Sequence, residues 1–150
     1  MKRLGIPRVL AWFHRSWLSD DWGQDLVEFG LALPLLALLL FGIIESGLLF
    51  LSFNTITNAA REGAHYGAIS PANEGPSTCA APSGAIGSQA VCRFAAGLDP
   101  SQVTYRATRS GQTVALQVTY RYAFASGLVS QAFGGSPTLT LRANSAMRTE

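Results

Sequence analysis

The sequence predicts an α+β protein: a long N-terminal transmembrane helix continuing into a small exported domain with a three-stranded antiparallel sheet. Three observations predict it. From Leu31 to Ile44 no side chain carries a hydrogen-bonding group, and apart from Glu45 and Ser46 the apolar character runs on to Phe53. After Pro100 the hydrophobic period changes to two, the period of a half-buried strand. The cations are divided: Lys2, Arg3, Arg8 and Arg15 precede the apolar run, and none recurs until Arg61.

In chain order, residues 1–22 mix apolar side chains with cations and with Trp12, Trp17 and Trp22. That composition suits a headgroup boundary, either as an anchor that stays attached or as a removable leader. An ordinary secretory signal fits poorly, because its apolar core is only about 7 to 15 residues and ends at its cleavage site. Here a candidate cut after Gly23 lies before the apolar run and leaves it in the product. The expected organisation is a leader over 1–23, a transmembrane helix over 24–53 and an exported domain over 54–150. The apolar run, at about 1.5 Å per residue, makes roughly 40 Å of helix against a hydrocarbon core of about 30 Å. The positive-inside rule puts the N-terminus in the cytoplasm and exports the C-terminal part.

Two carboxylates interrupt this greasy stretch. Glu28 stands near its start, where a charge is costly unless compensated. A cut after Gly23 creates an α-amino group on Gln24, four residues earlier and on the same helix face, so an amine on this chain or a neighbour can pair with Glu28. The alternative is a border carboxylate reaching back to the interface. Glu45 lies near the outer end with small neighbours Gly42, Ser46 and Gly47. Either another helix packs there and supplies a donor, or Glu45 is solvated among the outer headgroups. Pro34 removes a backbone donor and is a candidate kink.

Nothing after Phe53 stops the helix, which is expected to run from about Gln24 to Ala68. Ala59, Gly63 and Gly67 form a small-residue ridge that lets another surface lie close. Arg61 and Glu62 are adjacent and do not share a face, so each needs its own partner or solvent. Residues Ser70 to Ser88 read as a loop rich in proline, glycine and serine. Cys79 and Cys92 are the only cysteines. In an exported domain they form either a bridge, contributing roughly 3 kcal/mol for a loop of about 14 residues, or two free thiols. A short helix around Gly87 to Ala96 follows, stopped by Gly97. Val103, Tyr105 and Ala107 then alternate, Ser110-Gly111 offers a turn, and Val114 to Phe124 alternate most clearly. A glycine-rich stretch, Ser126 to Pro137, leads to Thr138 to Arg148, with Leu139, Leu141, Ala143 and Met147 on one face. The exported half of the helix is the natural cover for these three strands.

Several function classes are excluded or disfavoured. From Gln24 onward seven arginines balance seven acids, so no basic stripe points to nucleic acid. Two cysteines with His65 give neither a CxxC pair nor a fourth metal ligand, and no cofactor motif occurs. His14 falls in the leader, and no GxSxG or phosphate-cradling glycine loop is present. Glu28 and Glu45, separated by about 25 Å of helix, are no acid and base pair. No catalytic residue is assigned. A structural component and a membrane-anchored exported binding module remain as readings.

Gly23-Gln24-Asp25-Leu26-Val27-Glu28-Phe29, Leu33-Pro34-Leu35-Leu36, Phe41-Gly42-Ile43-Ile44-Glu45 and, above all, Asn58-Ala59-Ala60-Arg61-Glu62-Gly63-Ala64-His65-Tyr66 resemble the TadE-like proteins of the tight-adherence (Flp) pilus system, within the type IV pilin-like class. Ala143-Asn144-Ser145-Ala146-Met147-Arg148 also fits. The resemblance covers Gly23 to Ala68 closely. Asp25 and His65 depart from the residues usual there. It implies a minor pilin or pseudopilin cut after Gly23 by a dedicated prepilin peptidase, with Glu28 retained as a determinant. It also implies partners in the lipid bilayer, other pilin-like subunits and the assembly platform, and residence in the cytoplasmic membrane.

Overall fold

The computed structural model describes residues 21–70, 74–132 and 134–149. Residues 1–20 of the expected leader, with His14, Trp12 and Trp17, lie outside the described residues. The chain divides into two compact units, Met1–Leu40 and Phe41–Glu150. The described part of the first is helix alone. Its large side chains from Leu26 to Leu40 are exposed, as befits a surface whose solvent is lipid.

Helix α1 spans Asp21–Ile69 and continues through Pro34. Among the described residues it is the one helix long and apolar enough to cross a membrane. In the second unit its buried positions are Glu45, Ser52, Ile56, Ala59, Ala60, Gly63, Ala64 and Gly67. Their steps of three, four and seven residues make a stripe on one face. Leu48, at the stripe's margin, and Phe50, Leu51 and Phe53 are exposed.

The stripe is covered by one antiparallel sheet, of four strands and not the three expected. Its order is β1 (Glu74–Thr78), β2 (Val103–Ser110), β3 (Thr113–Ala123) and β4 (Thr138–Arg148). β1 lies inside the stretch read as loop. Gly75-Pro76 hides it, and the register shifts between Glu74 and Ser77. A proline survives here because β1 is an edge strand with a bulge. The β2–β3 hairpin pairs Val103 with Tyr120 through Ser110 with Thr113. Gly111 has φ 60°, the positive value a type II′ turn asks of its first central residue. β3 and β4 pair along their whole length, Thr113 with Arg148 to Ala123 with Thr138.

Two further differences concern helices. Residues 84–94 form a helical run, α2, in three segments: Gly84–Ile86, a wider π turn Gly87–Val91, and Cys92–Phe94. It therefore starts and stops earlier than the predicted Gly87 to Ala96. The glycine-rich stretch holds a short helix, α3 (Gly127–Ala132).

The core joins the helix stripe to the inward sheet face: Ile56, Ala59, Ala60 and Ala64 meet Val103, Tyr105, Ala107, Leu116, Val118 and Ala143, with Ile86 and Val91 of α2. Leu141 and Met147 of β4 pack on its margin. The glycines of the ridge set the spacing. A Cβ at Gly63 would stand 2.3 Å from Leu116 Cδ2 and 2.7 Å from Val91 Cγ2, and one at Gly67 2.9 Å from Val114 Cγ1. Those neighbours are fully buried, so they have little room to yield.

Gly63→Ala is therefore expected to destabilise the fold by about 1–3 kcal/mol. Gly47→Ala, with nothing within 4 Å of its Cβ, is expected to be neutral or stabilising by up to about 1 kcal/mol. Denaturant titration of the detergent-solubilised protein measures both.

Candidate functional site

The first candidate segment is the helix start. Gly23, Gln24 and Glu28 are exposed and helical. The Gln24 side-chain amide donates to Glu28 Oε1 at 3.0 Å, the i to i+4 contact the helix geometry provides. Glu28 thus already has a donor on its own chain.

The second is Glu45, which is 4% exposed. It is buried rather than solvated, and among the described residues of this chain no second helix supplies its donor. Nothing lies within 4 Å of a Cβ built at Gly42 or Gly47. Instead its Oε1 accepts from the Tyr122 hydroxyl at 2.8 Å and from the Ala125 backbone N–H at 3.0 Å. Both donors come from the far end of β3, where the strand leaves the sheet. Their convergence makes the acid tolerable, since a buried carboxylate without donors is costly. Tyr122 is itself set by its neighbours. Tyr120 packs edge-on at 6.5 Å and Phe124 at 5.7 Å.

This pairing shifts the phenol. Burial first, then the hydrogen bond to Glu45 and its negative charge, with a contribution from Tyr120, push Tyr122 from 10.0 up to about 12. Asp99, in contrast, is held below its ordinary value by the Ser101 hydroxyl and backbone N–H that donate to it.

The remaining candidates scatter. Arg61 and Glu62 are exposed on α1, while Gly63 next to them is buried under Leu116. His65 is exposed. Cys79 and Cys92 are joined by a disulfide with Cα atoms 5.3 Å apart, which ties the turn after β1 to α2.

Two polar clusters escaped the sequence reading. Glu74, 6% exposed, accepts from the N–H groups of Ile86 and Gly87 at 2.7 and 3.0 Å, satisfying donors left free at the start of a helix. The Tyr105 hydroxyl donates to Ser83 O at 2.8 Å and accepts from Ser83 N at 2.9 Å. Gly84 and Gly87 leave the space: a Cβ would meet Glu74 at the first and the Tyr105 ring at the second. The one available signal was an acid beside glycines in a serine-rich stretch, and it names no partner.

Among the described residues no group of three or more His, Cys, Asp or Glu side chains is arranged to hold a metal. An exposed apolar helix leading into a small helix-on-sheet domain defines a membrane-anchored, pilin-like component. Residues 23–65 match the family described as TadE-like protein, so this chain carries a TadE-like segment. That family is non-catalytic. No curated protein matches the chain, and no solved structure matches it.

Removing one donor tests the Glu45 tie. Tyr122→Phe is expected to cost about 1–3 kcal/mol, and combining it with Glu45→Leu to cost less than the sum of the single changes. Because Tyr122 titrates higher folded than unfolded, its contribution is complete below pH 10 and lost as pH rises through about 12. Tyrosinate absorbance should show one group titrating near pH 12, absent in Tyr122→Phe.

Proposed function

We propose that this protein is a minor pilin or pseudopilin-like structural component of Flp (tight-adherence) pilus assembly. It is anchored in the cytoplasmic membrane with the N-terminus inside and the domain exported. One observation carries the reading. The TadE-like match begins at Gly23 and runs to His65, so it takes in the proposed cut, the apolar span and the glycine that seats the sheet on the helix.

A prepilin peptidase cuts after Gly23, removing 1–23 and leaving a span over 24–53 and an exported domain over 54–150. The new amine of Gln24 is four residues from Glu28, the spacing at which the Gln24 side chain reaches Glu28 Oε1. In an assembly, the amine of one subunit can pair with Glu28 of its own chain or a neighbour, which fixes axial register. The Cys79–Cys92 bridge fits an oxidising compartment. Partners are the bilayer, the peptidase, other pilin-like subunits and the assembly platform.

The second reading is a membrane-anchored exported binding module that is never cut. The uncut chain favours it in one respect, since Glu28 has the Gln24 amide as donor without any new amine.

Processing separates the two. N-terminal sequencing of membrane-extracted protein is expected to begin at Gln24, and an intact Met1 terminus selects the unprocessed anchor. Glu28→Gln is expected to insert normally and to abolish pilus assembly, and normal assembly in that variant removes the charge-pairing step.

A further inference from the structure

We infer that the outer face of the sheet carries a binding site for the phosphate of an anionic phospholipid headgroup, built around Arg121 and Arg142. The inference rests on the membrane-anchored reading above.

Burial sorts the charges of the second unit. Glu45 and Glu74 are turned into the interior. Among its described residues the acids left exposed are Glu62 and Asp99, against seven exposed arginines. The near-neutral formal charge therefore conceals a basic surface. On the solvent face of the sheet Arg121 pairs in register with Thr140, and Thr119 with Arg142. The two guanidinium groups thus project from diagonal positions, which long side chains can span to meet one anion. Neither has a hydrogen-bond or ion-pair partner among the described residues. Both line a groove of about 320 Å³ that also presents the hydroxyls of Thr119 and Thr140, while those of Ser101 and Thr104 donate to Asp99 and to the Thr119 carbonyl. Guanidinium forks with surrounding hydroxyl donors are the chemistry that binds phosphate.

The height of the groove selects the source of that phosphate. β3 and α1 run antiparallel within this unit: Tyr122 touches Glu45, and Leu116 lies over Gly63. Interpolated between those two contacts, the segment from Arg121 back to Thr119 is level with the helix from about Leu48 to Asn54. There the exposed apolar surface of Leu48, Phe50, Leu51 and Phe53 gives way to Asn54, Thr55 and Thr57. An apolar edge level with a pair of arginines is the pattern of a membrane–water boundary. Arg106, opposite Gln117, and Arg109, opposite Val114, lie further along the sheet, away from that level.

Arginine-specific labelling of the full wild-type chain in nanodiscs tests this. With phenylglyoxal and mass spectrometric readout, Arg121 and Arg142 are expected to react about fivefold more slowly in discs rich in phosphatidylglycerol than in pure phosphatidylcholine. High salt should relieve the protection, with Arg106 and Arg109 unchanged as internal controls. Equal rates in both discs, with the protein resistant to alkaline extraction, overturn the lipid site and leave the anchor standing. Protein released by alkaline extraction overturns the anchor itself. Equal protection by inorganic phosphate in phosphatidylcholine discs assigns the groove to free anions and overturns the lipid assignment. In Arg121→Gln the salt-sensitive protection of Arg142 should be lost, with Arg106 and Arg109 unchanged. If that variant does not fold, the wild-type comparison decides alone.

Discussion

The fold of the second unit depends on meeting the needs of one acid. A carboxylate on an apolar helix must either reach water or be given donors, and Glu45 is given two, from Tyr122 and from the Ala125 backbone. An apolar residue there would pack against any surface. A carboxylate accepts only one that brings N–H and O–H groups to the right height, which is why such groups specify arrangement better than they add stability. The tie fixes where β3 ends on the helix. The glycine ridge fixes how near the sheet lies, and together they leave little freedom to slide.

Much of the architecture was legible because it follows from periodicity. The uninterrupted apolar run gave α1, whose end at Ile69 lies one residue past the expected Ala68, and the alternation from Val114 gave β3 and its inward face. Ala59, Gly63 and Gly67 announced a close approach, and the sheet makes it. The misses share a cause: they depend on partners distant in sequence. β1 is held by β2 despite Gly75-Pro76, and no local pattern announces a strand that exists because an edge was available. The donors for Glu45 lie 77 and 80 residues away, so the sequence marked the acid and left its partner open between a second helix and solvent. Tyr122 looked like one more apolar residue of an alternating strand. Glu74 and Tyr105 each cap a loop that pattern alone leaves shapeless.

Charge was the property most misleading in total. Seven arginines and seven acids balance along the chain from Gln24, yet Asp25 and Glu28 belong to the helix start, and Glu45 and Glu74 are consumed internally by hydrogen bonding. What a partner meets on the second unit is the arginine side of the balance. Net charge read from composition is a statement about the chain, whereas recognition depends on which charges folding leaves outside.

The same distance in sequence governs how the protein is made. Synthesis at about 5 to 20 residues per second separates Glu45 from its Ala125 donor, 80 positions later, by roughly 4 to 16 s. Throughout that interval the nascent helix presents an acid with no settled neighbour, and the slow, long-range closure of the sheet decides when it is satisfied. A chain halted before Tyr122 therefore leaves the carboxylate with neither of its donors.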